Sequence, residues 1–103
     1  MKRYAIAFAP DAQEQAAKIR AWWLEHRPGA RALFDEELVA AAARIAVAPE
    51  TGPRYVRRGT SRELRRVLLP KTRYHLYYSV DDLHETITIL AMWHATRGRG
   101  PLL

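Results

Sequence analysis

Histidine and arginine near one end of the chain are its residues best equipped for chemistry. In "ITILAMWHATRGRGPLL", residues 87–103, an apolar run leads into Trp93 and His94, and Arg97 and Arg99 follow. Imidazole titrates near neutrality and can serve as general acid or base, while guanidinium groups stabilise developing phosphorane charge. His75 lies on a segment that can neighbour this one. His75, Tyr77 or Tyr78 can then act as the second proton-transfer group of a ribonuclease-like set. Two other readings stand beside it: a docking surface, and a strand-terminal histidine whose ring simply bonds a neighbouring loop.

Other chemistry finds little support. The sequence has no cysteine, which removes disulfides, thiolate metal sites and thiol nucleophiles. Histidines 26, 75, 84 and 94 show no metal-ligand spacing, and no metal is expected. "TRGRG" follows a strand-like run but opens no helix, so it is no phosphate loop, and no cofactor is expected. The serines and threonines form no nucleophile elbow. Trp22 and Trp93 invite a base-stacking reading beside arginine. Trp93, in phase with Ile87 and Ile89, reads instead as the end of a core row. Trp22 reads as packed at a helix edge or beneath a bound partner.

These residues need elements to position them. "RYAIAFAP" reads as a first strand, about 2–9. "PDAQEQAAKIRAWWLEHRPG" reads as a helix, with Asp11 and Glu14 as a capping box and Ala12, Ala16, Ile19 and Trp23 on one stripe. A second helix over about 30–48 places Ala30, Phe34, Leu38, Ala41, Ile45 and Ala48 on one face. "PETGP" ends it. The period then changes. "ELRRVLL", "RYHLYYSV" and "TITILAMWH" read as three strands joined by short turns, hence antiparallel neighbours. The second puts Tyr74, Leu76, Tyr78 and Val80 on one face. The third puts Ile87, Ile89, Ala91 and Trp93 on one face. The order implies an α+β fold in a single domain, 1–103, with a helical hairpin over one sheet face. The other face is expected to be shallow and exposed, lined in part by arginines, histidines and tyrosines.

The 103 residues carry a net charge of +6, unevenly spread. Residues 1–53 hold seven Lys/Arg and seven Asp/Glu, whereas residues 54–103 hold ten and four, so 10 − 4 accounts for the excess. Such clustering suits an anionic partner, either nucleic acid or an acidic protein segment. No apolar run approaches membrane-spanning length and no signal peptide is evident, so a cytoplasmic protein is expected.

Taken together, "FAPDAQEQAAKI", "RPGARALFDEELVAAAARIAVAPETG", "ELRRVLLPKTRYHLYYSVDD" and "TITILAMWHATRGRG" resemble the RelE/ParE superfamily of bacterial type II toxins. The ending "ILAMWHATRGRGP" looks like the ParE branch. That resemblance implies a toxin inhibiting DNA gyrase, with Trp93, His94, Arg97 and Arg99 as target contacts. It also implies a cognate, ParD-like antitoxin that forms a hetero-oligomer with the toxin and alone carries operator-DNA binding. Trp22, Arg57, Arg58, Arg65 and Arg73 are then the antitoxin contacts. The RelE-like branch implies instead a ribosome-dependent mRNA endonuclease, here with His94, Arg97, His75 and Arg65. His75 stands where that branch has arginine, and no tyrosine follows Tyr78.

Overall fold

The structure, a computed structural model, describes residues 2–55, 63–97, 100, 101 and 103. Its elements run in the expected order. Strand β1 (Ala5–Phe8) is followed by helices α1 (Pro10–His26) and α2 (Leu33–Val47). Then come β2 (Arg54–Tyr55), β3 (Leu64–Leu68), β4 (Tyr74–Asp81) and β5 (Thr86–His94). The sheet order is β1-β5-β4-β3-β2, antiparallel except that β1 runs parallel to β5. Short turns enforce antiparallel pairing across β3, β4 and β5. No turn constrains β1, because the helical hairpin intervenes and returns the chain in the parallel sense.

The helices bury the stripes that their spacing announces. Ala12, Ala16 and Ile19 of α1 and Phe34, Leu38, Ala41 and Ile45 of α2 meet Val67, Leu76, Tyr78, Ile87 and Ile89 of the sheet in one core. Small alanines on α1 let helix and sheet approach closely. The expected capping box does not form: the N-cap is Ala9, with no side-chain cap, and Pro10 opens the helix. Proline's fixed φ suits the first helical turn. Helix α1 therefore starts two residues early and Asp11 lies inside it. Glu14 instead pairs with Lys18 at 3.4 Å. Helix α2 begins at Leu33 rather than Ala30, because a 3-10 turn occupies Pro28–Ala30.

Strand β5 departs from simple alternation. Its register with β4 passes from Tyr78↔Ile89 to Tyr77↔Ala91, leaving Leu90 as the extra residue of a bulge. The bulge reverses the phase that follows. Met92, opposite Leu76, enters the core, and Trp93, opposite His75, faces away from the helices. Trp93 therefore does not end the core row, and the Ile87–Ile89 row continues through Met92.

The second sheet face is less bare than expected. Leu64, Tyr77, Ala91 and Pro101 are buried there. Gly100 crosses so close that a Cβ would overlap the Tyr55 hydroxyl. A small second core thus lies beneath the terminal residues, and the open polar surface shrinks to a hollow at one end. Strand β2, unforeseen from the sequence, adds Tyr55 to it. Edge-on contact of Tyr55 with Tyr77, centroids 4.9 Å apart, explains why so short a strand stays in place. Among the described residues, no helix is long and apolar enough to cross a membrane.

Candidate functional site

Where β5 ends, the chain turns back on itself. The Ala95 amide donates to the Arg73 carbonyl (2.7 Å) and the Arg97 amide to the His94 carbonyl (3.1 Å). Trp93, His94 and Arg97 thus form a short ridge at one end of the sheet. The Arg97 guanidinium lies 4.2 Å from the Trp93 ring centroid, a cation–π contact that orders an exposed arginine. His94 meets Tyr74 edge-on at 5.0 Å.

The protonation pattern of His94 follows from its neighbours. Its Nδ1 lies 3.2 Å from the Thr96 amide and 2.7 Å from the Thr96 hydroxyl. A backbone amide can only donate, so the Thr96 amide favours the tautomer in which Nδ1 accepts and Nε2 carries the hydrogen, while the Thr96 hydroxyl can either donate or accept. His94 therefore presents an N–H donor outward, suited to holding a carboxylate, carbonyl or phosphate oxygen. His75 differs: burial, then the charges of Arg66 and Arg73, hold its pKa below the ordinary histidine value. That direction favours the neutral imidazole, in which one nitrogen can accept a proton.

A cavity opens on each side of the ridge, and Trp93, His94 and Arg97 line both. On the α1 side, Gln15, Lys18, Ile19, Trp22, Tyr74 and Met92 complete a groove of about 290 Å³. Gln15 also accepts the Met92 amide at 2.7 Å, tying α1 to the strand just past the bulge. On the opposite face, Tyr55, Arg66, His75, Tyr77, Ala95 and Gly100 complete a hollow of about 280 Å³. Arg66 is held there by the Tyr55 ring (5.1 Å) and by donating to the Tyr77 hydroxyl (3.4 Å). Among the described residues, neither lining includes a carboxylate. Lys18 has Glu14 beside it at 3.4 Å, whereas Arg66 and Arg97 have no carboxylate partner among the described residues, and such cations favour anionic groups.

The residues singled out from the sequence are sorted by this geometry. His94, Arg97 and His75 come together at the hollow. Arg65 does not: it projects to the helix side of β3, donates to the Gly52 carbonyl at 2.8 Å and pairs with Glu63 at 3.4 Å. Its neighbour Arg66 occupies the hollow instead. Trp22 lines the groove, half exposed, while Arg73 sits in the turn before β4 and Arg65 lies on the far strand. Arg57, Arg58 and Arg99 lie outside the described residues.

One face of Trp22 is stacked on His26 at 4.7 Å and one face of Trp93 carries Arg97, so at most the other face of each ring is open to a base.

Lys18, Arg66 and Tyr55 were not anticipated. Lys18 was legible, four residues before Trp22 on the same helix face. Arg66 required the β3–β4 register, and Tyr55 rests on a strand too short to show a period. Among the described residues, no group of three or more His, Asp or Glu side chains gathers to hold a metal.

Solved structures share the fold. The RelBE2 toxin–antitoxin complex of Mycobacterium tuberculosis contains a chain that is 24% identical, with a TM-score of 0.61, covering 91% of this chain and 93% of that one. Isolated Escherichia coli RelE is 19% identical at a TM-score of 0.56, covering 93% and 88%. The archaeal RelE–RelB complex of Pyrococcus horikoshii is 18% identical at 0.53, covering 93% and 99%. No curated protein matches the chain in sequence. A family model described as the ParE toxin of the type II toxin–antitoxin system parDE matches residues 6–98. With that match spanning most of its length, the chain belongs to the ParE family of type II toxins.

Proposed function

We propose that the protein inhibits DNA gyrase in the cytoplasm and that a cognate, ParD-like antitoxin neutralises it by forming a hetero-oligomer. Operator DNA is bound only through that antitoxin. The observation that carries this reading is the Trp93–His94–Arg97 ridge, offered at the end of a sheet between two acid-free cavities. Docking requires donors and an anchored aromatic group, and the ridge supplies both. The Thr96 amide at Nδ1 supports a contact role for His94, because it favours an Nε2–H that donates to a partner's oxygen. Arg99 extends the same cationic run.

The α1-side groove suits the antitoxin. Its floor of Ile19 and Met92 accepts an apolar side chain, and Lys18 and Arg97 at its rim accept neighbouring carboxylates. The structures of similar fold include RelE–RelB complexes, which supports a toxin that is held by a partner chain.

One observation favours a second reading, endonuclease activity of RelE type. The hollow brings a neutral His75 beside Arg66, Tyr77 and Arg97, with the His94 N–H at its border. A base, an acid and phosphate-binding cations would then face one cavity. Pulse labelling after induction without antitoxin separates the two. Early arrest of DNA synthesis with translation continuing supports gyrase as the target. Translation failing first, restored by His75→Ala, transfers the function to the hollow.

A further inference from the structure

The turn between β3 and β4 is tied to α2 by a single carboxylate. Glu37 accepts the Lys71 amide at 2.8 Å, the Thr72 amide at 2.9 Å and the Thr72 hydroxyl at 2.8 Å. Thr72 is the buried polar residue of the described chain, 3% exposed. Buried polar groups are rarely left without partners, so a three-donor anchor accounts for its burial. The next residue, Arg73, has φ 68, in the left-handed region that a non-glycine residue enters only when its surroundings hold it there. Two bonds close the turn around it: the Arg73 amide donates to the Leu69 carbonyl (2.8 Å) and the Leu69 amide to the Tyr74 carbonyl (2.8 Å).

The Arg73 carbonyl, oriented by that unusual conformation, receives the Ala95 amide at 2.7 Å. Ala95 stands between His94 and Thr96, the pair whose mutual hydrogen bonds set the His94 tautomer. Arg97 follows, closed back onto the His94 carbonyl. Helix α2 touches neither cavity beside the ridge, yet this chain of bonds runs from it to the ridge.

We infer that Glu37 is a positioning residue for the Trp93–Arg97 ridge: it holds the β3–β4 turn so that the Arg73 carbonyl can anchor Ala95. The inference rests on the reading that the ridge is the toxic surface. Without the carboxylate, the turn relaxes from the left-handed conformation, the Ala95 bond opens, and His94 and Arg97 lose their fixed geometry while the sheet persists.

The test is amide hydrogen exchange on the full chain, with growth arrest measured in parallel. In Glu37→Ala, exchange at Ala95 and Thr96 is expected to quicken at least tenfold, while Ile89, in the middle of β5, is unchanged. The His94 Nδ1 resonance should move away from that of an accepting nitrogen, and growth arrest should weaken at least tenfold. Thr72→Val, which removes one donor of three, should give a smaller change of the same pattern. Should Glu37→Ala fail to fold, Glu37→Gln and Thr72→Val carry the same test. Faster exchange at Lys71 and Thr72 with Ala95 and Thr96 unaltered would overturn the inference. If the wild-type chain arrests no growth, the functional reading fails, and the exchange pattern still decides the role of Glu37.

Discussion

The two cavities beside the ridge are nearly equal in volume and opposite in chemistry. The groove against α1 has an apolar floor with cations at its rim, which fits a protein side chain flanked by carboxylates. The hollow on the other sheet face is walled by phenols, guanidinium groups and imidazole, which fits a phosphate. Trp93, His94 and Arg97 border both. Ridge substitutions therefore cannot tell a docking toxin from a nuclease, since either mechanism fails when the ridge is lost. The discriminating residues are the flanking ones, Lys18 and Trp22 on one side, Arg66 and His75 on the other.

The largest expected effect would break the hollow itself. Tyr77 is 1% exposed at its floor. Tyr77→Ala should cost about 3–5 kcal/mol, as much as truncating a residue of the main core such as Met92. Urea unfolding of both variants measures this. A loss under about 1 kcal/mol for Tyr77→Ala would mean that the second face has no core of its own.

Next comes the anchor that holds the ridge. Burial alone would push the Glu37 carboxyl up, but the Lys71 and Thr72 amides, the Thr72 hydroxyl and the Lys71 charge outweigh it and hold the pKa below its ordinary 4.5. A carboxyl with a lowered folded pKa stabilises the protein above its unfolded pKa, and that stability is lost as pH falls through the folded value. Glu37→Gln should therefore cost about 1–3 kcal/mol at neutral pH. The difference from wild type should shrink below pH 4.5 and vanish in stronger acid. Thermal unfolding across that range checks it; a difference independent of pH would show that the charge contributes nothing.

A smaller effect sharpens the choice of cavity. Lys18→Glu should weaken antitoxin binding about tenfold, roughly 1.4 kcal/mol, and Arg66→Glu should leave it within twofold. Titration calorimetry with a cognate antitoxin provides the comparison. The reverse ranking would place the antitoxin over the hollow. The smallest effect concerns the wall behind the groove. The Arg20–Asp35 pair, 2.6 Å apart and nearly half exposed, links α1 to α2. Arg20→Ala should cost about 0.2–1 kcal/mol and leave antitoxin affinity unchanged. A larger loss of affinity would make the position of α1 itself part of the binding surface.

Legibility followed the range of the interactions concerned. The stripe through Ala12, Ala16 and Ile19, the stripe from Phe34 to Ile45, and the alternation of β4 all reappear as buried faces, because each repeats within a few residues along its own element. The capping box failed for a local reason too: Pro10 outcompeted Asp11 for the start of the helix. Strand β2 stayed hidden because two residues carry no period, and its stability comes from Tyr77, on another strand. Arg66 stayed hidden beside Arg65 because the parity of β3 depends on its pairing with β4.

The amino-acid sequence by itself determined the order of elements, the buried helix faces, the charge gradient toward the C-terminal half and the terminal cluster of tryptophan, histidine and arginine. All of these depend on composition or on spacing of two to four residues. Only the tertiary structure decided that Leu90 bulges, so that Met92 goes in and Trp93 comes out, and that β1 joins β5 in parallel. It alone decided that α1 and the end of β5 share a groove, and that Glu37, far from the ridge in sequence, is bonded to it through Thr72 and Arg73. The physical reason is common to all four. Register, bulges and side-chain anchors are settled by partners distant along the chain, whose meeting no local period records.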